Sequence, residues 1–450
     1  MNLSYFIAKR ISREQKEGFS STINVIAIVT IAIGLGAAII SFLIMQGFQA
    51  TIKNKIYGFS SHLLVTKVTL NNSMEEAPFY FNTDLYNHPE KFPIIHHLQE
   101  YAHKAGLIKT EEEVLGVMFK GVGQSFDYNR FKENMVEGRF INLADSGYSR
   151  EVVLSKFIAD KLKINTGDEL IVHFFQNPPR TRKLKVVGLY ETNLSEYFDS
   201  KIIIGDIRLI SRMNEWADSV AGGLQIYIDF NKFERTALFS SYFHDNYEAI
   251  WNSELSGGDK VMETLRLPFN YDFETAAMDE AQDIISESMD YDLYIEQTSY
   301  TYQQVFEWLG LVSRQVTILL VVILIVVCVN IISVMLILVM ERTQMVGMLK
   351  AMGAKDKLVR SVFIYSGVNL IMKGLFFGNL LGLGACYLLD KFQLIKLNPH
   401  DYYMSYVPVG WSWSSIVFLN LLVFALVTLV LLVPTRIISR ISPIKAIRFD

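Results

Sequence analysis

The sequence predicts a polytopic α-helical membrane protein, with four transmembrane helices and a large α+β extracytoplasmic domain between the first and second. Three observations predict it. The 450 residues are 51% apolar and only 20% charged, below the ~25% charge of an average soluble chain. Three stretches carry no charge over Ile23–Phe48, Gln315–Met340 and Trp411–Thr435, and a fourth, Ser361–Leu389, is broken only by Lys373. Each exceeds the roughly 20 residues that cross a bilayer. Finally, basic residues gather in the short segments that four spans would place on one side.

That bias sets the orientation. Lys9, Arg10, Arg13 and Lys16 precede the first span. Arg342, Lys350, Lys355, Lys357 and Arg360 lie between the second and third, and Arg436, Arg440, Lys445 and Arg448 follow the last. These 13 basic residues face five acidic ones, whereas Gln49–Val312 holds 25 basic and 39 acidic residues. Both termini are therefore expected in the cytoplasm, with about 264 residues outside. The first span, after a charged 22-residue lead and with no small-residue cleavage site behind it, reads as a retained anchor.

The composition excludes other classes. Two cysteines, Cys328 and Cys386, both within spans, cannot staple 450 residues and read as apolar packing. A net charge of −4 gives no reason to expect nucleic-acid binding. No G-x-x-x-x-G-K-[ST] motif occurs, so ATP is not held here in the P-loop manner. His96, His97 and His103 lack partners at metal-ligand spacing and read as surface residues. No nucleophile–base motif such as G-x-S-x-G occurs either, and no enzyme active site is expected.

Taken in order, the expected segments are an amphipathic N-terminal helix (1–22), a first span (23–48), the external domain with helical stalks (49–312), a second span (313–341), a cytoplasmic helix (342–360), a third span (361–389), an external loop (390–410), a fourth span (411–435) and a cytoplasmic tail (436–450). Ile52, Ile56 and Phe59 continue the helical spacing past Phe48, so the first span projects from the bilayer as a stalk. Leu63–Val68 reads as a strand, and residues 71–113 as irregular with a helix-like piece at Ile94–Ala105. Strands follow at Glu151–Leu154, Glu169–Phe175, Lys183–Tyr190, Lys201–Gly205 and Leu224–Asp229. Helices are expected after Ser155, at Ile207–Met213 and at Asn231–Phe243. The sheets are expected to be small. Residues 277–312 read as a helix leading into the second span.

Several stretches resemble the permease subunits of lipoprotein-releasing ABC transporters, the LolC/LolE type within the wider MacB-like, mechanotransmission (type VII) class. The N-terminal "FIAKRISREQKEGFSSTINVIAIVTIAIGLGAAIISFLIMQGF" ends on that group's "M-x-G-F". "ERTQMVGMLKAMGAKDKLVRSVF" resembles its "R-x-x-E-I-G-x-L-K-A-x-G-A". "NPHDYYMSYVPVGW" resembles its "P-x-x-Y-Y…P-V" loop, and "PTRIISRISPIKAIRFD" its closing "P-x-R-A-x-x-x-x-P-x-x-A-L-R". In the external domain, "VVLSKFIADKLKINTGDEL" and "KVVGLYETNLSEYFDS" follow the group as well. The resemblance implies a dimer of permease chains with two cytoplasmic ATPase subunits, which carry the ATP and Mg that this chain does not. It also implies lipoprotein cargo and a periplasmic carrier. MacB-like export of a small molecule or peptide, transmembrane mechanical signalling and a non-transporting scaffold are the alternatives. A homodimer is preferred over a heterodimer.

Candidate sites follow. Met345, Met348, Leu349 and Met352 recur at i, i+3, i+4 and i+7 and define one apolar face, with Gly353–Ala354 as a stop. Such a helix lies in the lipid interface or docks into a partner's groove. The resemblance implies that Glu341, Met345, Met348, Leu349, Lys350, Ala351, Gly353 and Ala354 couple to the ATPase. Gly374, Gly378 and Gly382, with Gly34 and Gly36 in the first span beside Ala32, Ala38 and Ile40, read as close helix packing. Lys373, the one charge inside a span, either has a functional or pairing role or snorkels. Pro178, Pro179, Arg180, Arg182 and Lys183 sit on a hairpin that is either solvated or docks a partner; the resemblance implies a lipoprotein carrier there. Met45, Phe48 and Ile52 on the first stalk and Leu309 and Val312 on the second are the expected lipoprotein acyl contacts. Aspartate at both Phe48 and Ile52 is expected to abolish release and leave assembly intact.

Overall fold

The computed structural model describes residues 19–69, 75–110, 113–143 and 147–437. The basic N-terminal segment and the end of the C-terminal tail fall outside them. In chain order the elements are α1 (Phe19–Ser60), β1 (Leu63–Lys67), β2 (Phe79–Tyr80), β3 (Ile95–Lys109), β4 (Val114–Val122), β5 (Met135–Gly138), β6 (Glu151–Ser155), α2 (Lys156–Leu162), β7 (Glu169–Phe174), β8 (Arg180–Tyr190), β9 (Ile202–Asp206), α3 (Ile207–Asn214), β10 (Val220–Ala221), β11 (Gly223–Ile228), α4 (Arg235–Asn252), α5 (Gly257–Asn270), α6 (Phe273–Ser286), β12 (Leu293–Gln297), α7 (Gln303–Glu341), α8 (Thr343–Ala351), α9 (Asp356–Phe392) and α10 (Trp413–Ile437). Two compact units divide the chain: a helical unit that includes Glu307–Asn398, and a sheet unit of Ile52–Phe306 with Pro399–Tyr403.

Among the described residues four helices, α1, α7, α9 and α10, are long and apolar enough to cross a membrane. In the helical unit α1 contributes Ala27, Ile31, Leu35, Ile39 and Leu43, every fourth residue, to one buried core with Val327, Ile331 and Met335 of α7 and Ile371 of α9. Its Val25, Ile26, Val29 and Ile33 are exposed. This is the pattern of a helix with one seam toward its neighbours and the remaining surface toward lipid. α9 and α10 are joined by reciprocal amide bonds: Asn379 Nδ2 donates to Asn420 Oδ1 at 2.6 Å, and Asn420 Nδ2 to Asn379 Oδ1 at 3.0 Å.

The sheet unit is built on a mixed ten-stranded sheet, ordered β12-β1-β11-β3-β4-β9-β6-β8-β5, with β7 pairing both β3 and β8. β4–β9 and β6–β8 are parallel. Two cores flank it. One joins Phe119, Phe174 and Val186 to α2 and α3 through Ile158 and Ile210; the other joins Leu63, Leu224 and Ile295 to Ala281 and Ile285 of α6. α2 begins as its sequence dictates: Ser155 Oγ accepts from the Ile158 amide, a side-chain N-cap.

The structure corrects three expectations. Ile94–Ala105 is not helical; from Ile95 on it belongs to β3, a 15-residue strand. Pairing with β4, β7 and β11 gives that backbone ladder partners along its length, and this outweighs local propensity. The stretch 277–312 is not one helix. β12 interrupts it and pairs antiparallel with β1, Leu63 facing Gln297, and α7 starts only at Gln303. Small sheets are replaced by one large sheet and a two-stranded β2–β10 ribbon, because long-range crossovers between β4, β9 and β6 leave no local signal.

Candidate functional site

α1 is one uninterrupted helix of 42 residues, and its final turns are gripped inside the sheet unit. Lys53 Nζ bonds Glu274 Oε2 at 2.9 Å. Lys55 Nζ donates to the carbonyls of Thr192 and Tyr403, both at 2.8 Å. Lys120 on β4 donates from Nζ to the Phe59 carbonyl at 2.8 Å and stands 4.6 Å over the Phe59 ring. Phe59 in turn stacks on Phe198 at 4.2 Å. The last carbonyls of a helix carry its negative partial charge and lack intrahelical donors, so an ammonium there satisfies both. Burial lowers the pKa of Lys120 to about 7, against the pull of Glu76. The pKa of Lys55 is lowered by burial, with Asp199 and Glu191 opposing.

In the helical unit the predicted glycines mark close approach between helices. A Cβ on Gly374 would lie 2.6 Å from Ile31 Cγ2, and one on Gly378 would lie 2.9 Å from Leu35 Cβ. One on Gly382 would lie 3.1 Å from the Gly36 carbonyl oxygen, and one on Gly34 would lie 2.4 Å from Val327 Cγ2. So Gly36, Gly374, Gly378 and Gly382 form an α1–α9 seam, and Gly34 faces α7. Two further glycines were missed by the pattern. Gly47 of "M-x-G-F" meets Gly410 of "PVGW": a Cβ on Gly47 would lie 2.6 Å from the Gly410 nitrogen, whose N–H bonds the Leu43 carbonyl at 2.9 Å.

α8 follows α7 after a single residue. Its apolar residues differ in burial. Val346 and Gly347 are buried, Met345 packs against the helical core, and Met348 and Met352 are 55% and 76% exposed. The bundle covers the side of Val346 and Gly347 and leaves two methionines, four residues apart, at the exposed edge of the apolar stripe. Leu349 is half-buried and Ala351 exposed. Lys350 bonds Asp356 at 3.0 Å. Gly353 has φ +89°, and the amides of Gly353 and Ala354 bond the carbonyls of Lys350 and Leu349 at 3.0 and 2.9 Å, closing the helix as a glycine cap does. Glu341, the last residue of α7, is exposed.

The expected acyl contacts divide by accessibility. Met45 and Leu309 are buried. Phe48 is half-buried, edge-on to Trp308 at 5.5 Å, and Val312 is half-buried. Ile52 has no exposed surface at all. An aspartate there would bury an unpaired carboxylate, so the double Phe48→Asp, Ile52→Asp change cannot leave assembly intact, contrary to the sequence expectation.

The cations of the β7–β8 hairpin divide between two strand faces. Pro178 and Pro179 form its tip, after a cis Asn177–Pro178 peptide. Arg180 and Arg182 lie on β8 itself, which starts three residues earlier than expected, and strand alternation puts Lys183 on the opposite face. Arg180 pairs with Glu215 at 3.5 Å and Lys183 with Glu169 at 2.6 Å. Arg182 donates to the Thr181 carbonyl. Of the histidines, His97 pairs with the Ser125 carbonyl at 2.7 Å and His103 with Glu76 at 2.6 Å.

Four membrane-length helices, a large α+β domain between the first two and a short helix between the second and third define an ABC-type permease architecture. Matching families agree: the FtsX-like permease C-terminal region covers residues 317–443 and the MacB-like periplasmic core domain residues 25–240. Among curated proteins, the "Lipoprotein-releasing system transmembrane protein LolC" of Neisseria meningitidis serogroup B is 22% identical over 474 residues, covering 100% of both chains. LolC of Xylella fastidiosa (strain Temecula1) is 22% identical over 472 residues, covering 100% of this chain and 98% of its own. Among solved structures, the periplasmic region of MacB from Actinobacillus actinomycetemcomitans aligns with 56% of this chain and 95% of its own, at 12% identity and a TM-score of 0.31. The chain is thus LolC-like along its whole length, as its motifs indicate.

Proposed function

We propose that this chain is the permease subunit of an ATP-driven mechanotransmission transporter that extracts lipoproteins from the outer leaflet of the inner membrane and hands them toward the outer membrane. Both termini and α8 face the cytoplasm. Separate ATPase subunits hold ATP and Mg and dock on α8 through Met348 and Met352, and two copies of the chain pair as a homodimer. The observation that carries this reading is the continuity of α1. A single helix, Phe19–Ser60, carries the first span and ends in the sheet unit on the bonds of Lys53, Lys55 and Lys120, so one secondary-structure element belongs to both.

Cargo acyl chains contact the accessible apolar side chains of the stalks, Phe48, Val312 and the 54% exposed Leu311. Each acyl CH₂ withdrawn from water contributes ~0.8 kcal/mol. The β7–β8 hairpin offers a periplasmic carrier Arg182 and the proline tip, since Arg180 and Lys183 are already paired.

The match to a MacB-like core favours export of a small molecule or peptide as the second reading. Affinity purification of the tagged, solubilised chain, followed by mass spectrometry of proteins and attached lipids, separates the readings. Lipoprotein extraction predicts an ATPase together with acylated proteins. An ATPase without acylated cargo selects export, and no ATPase removes both.

A further inference from the structure

The helical unit contains a cleft of about 220 Å³ between α1, α7, α8 and α9. Five polar side chains converge on it: Asn24 from α1, Arg342 at the start of α8, and Ser366, Asn369 and Lys373 from α9. Its other walls are apolar, among them Ile28, Leu338 and Phe363. Two of the lining residues, Val25 and Lys373, are exposed, so the cleft opens on the outside of the chain.

Lys373 is the centre of the problem. It lies twelve residues past Ser361, about 18 Å along the helix at 1.5 Å per residue. A charge at that depth is costly in hydrocarbon and needs a counter-charge. Among the described residues neither Lys373 nor Arg342 has an ion-pair partner. A helical side chain leans toward the N-terminus of its helix, which for Lys373 is the end of α9 next to Arg342. Two cations and three neutral hydrogen-bonding groups therefore point into one opening on a membrane-spanning bundle. No carboxylate is among the lining residues.

We propose that this cleft binds the phosphate headgroup of an anionic phospholipid from the leaflet on the α8 side, with Lys373 and Arg342 as its cationic contacts and Asn24, Ser366 and Asn369 as hydrogen-bonding partners. Clusters of basic side chains between spanning helices recognise such headgroups. The source is a lipid and not a dissolved anion, because the apolar walls and lateral opening suit acyl chains and the depth of Lys373 keeps it from bulk water. A bound headgroup joins α1 and α9 to the first turn of α8, where Met345 also lines the cleft. This inference rests on the four helices spanning a bilayer and is independent of cargo and of the ATPase.

Native mass spectrometry of the full-length chain in detergent, with whatever subunits co-purify, tests it. Dioleoyl phosphatidylglycerol and dioleoyl phosphatidylcholine are titrated as probes, with inorganic phosphate as competitor. The wild type should retain phosphatidylglycerol about fivefold or more tightly than phosphatidylcholine, the scale of one basic residue at a membrane surface. Lys373→Met should abolish that preference, Arg342→Gln should reduce it, and Lys373→Arg should keep it. Should Lys373→Met fail to fold, the Arg342→Gln and Lys373→Arg pair carries the same test. An unchanged preference in folded Lys373→Met, or in both of that pair, overturns the site. Displacement of phosphatidylglycerol by millimolar phosphate overturns the lipid as its source.

Discussion

The ammonium nitrogen of Lys120 lies 2.8 Å from the carbonyl oxygen of Phe59, so a buried strand residue closes the end of the helix that began at the membrane. Lys120 is 2% exposed, and its place on β4 makes it part of the sheet's interior. The bond fixes the end of α1 to β4, in the middle of the sheet.

The buried ammonium gives a pH signature. Its pKa is lowered from 10.5 to about 7 by desolvation. Below about pH 7 both folded and unfolded chains hold the proton and Lys120 adds no slope. Between about 7 and 10.5 the unfolded state binds more protons, so stability rises with pH. The difference in melting temperature, wild type minus Lys120→Met, should therefore become more positive between pH 6.5 and 9.5. A pH-independent difference would place the charge of Lys120 outside the folding equilibrium.

The α1–α9 seam predicts opposite outcomes for one substitution at two glycines of the same helix. Gly374→Ala places a methyl group 2.6 Å from Ile31 and should destabilise the chain by about 1–3 kcal/mol, the cost of overpacking. Gly384→Ala meets nothing within 4 Å and should be neutral or stabilising by up to about 1 kcal/mol through helix propensity. Thermal unfolding in detergent measures both.

Asn379 and Asn420 should show coupling. Replacing either by leucine leaves the other's Oδ1 without its donor, while its Nδ2 keeps the bond to the carbonyl four residues back (Leu375 or Ile416), and replacing both removes the need. A double-mutant cycle should give an interaction of about 0.6–1.7 kcal/mol, the measured range for such bonds in membrane proteins. Strict additivity of the two single effects would refute the pair.

Met348→Asp with Met352→Asp should leave folding unchanged, since both side chains are exposed. It should weaken ATPase association about tenfold or more if these are the central apolar anchors. Size-exclusion profiles of the variant chain, with and without ATPase, read the two effects separately. Ile52→Asp, in contrast, should lower stability by at least about 2 kcal/mol through a buried unpaired charge.

Spans, stalk and the glycine seam were legible because lipid imposes long uncharged runs and because close helices require small residues at four-residue spacing. Helix α2 was legible through Ser155, strand β7 through alternation, and β6 and β9 as short apolar runs. β3 was not: His96, His97, Glu100 and Lys104 give it a polar look, and only pairing with distant strands decides its state. The split of α8 was equally hidden. Met345 and Met348 look equivalent along the chain, and the bundle alone determines that one turns inward. Lys55 and Lys120 carry no local sign of their role, since each meets a carbonyl far away in sequence. The family loop "P-x-x-Y-Y" gains a physical reading here, because its Tyr403 carbonyl is one of the acceptors of Lys55.

Proteoliposomes holding the purified complex and an acylated protein test lipoprotein extraction by the amount of acylated protein released into solution when ATP is added. ATP-dependent release is expected, lost in Met348→Asp/Met352→Asp and reduced in Phe48→Asp/Val312→Asp. Undiminished release from the methionine variant, or no ATP-dependent release from an ATPase-active wild-type complex, would contradict it.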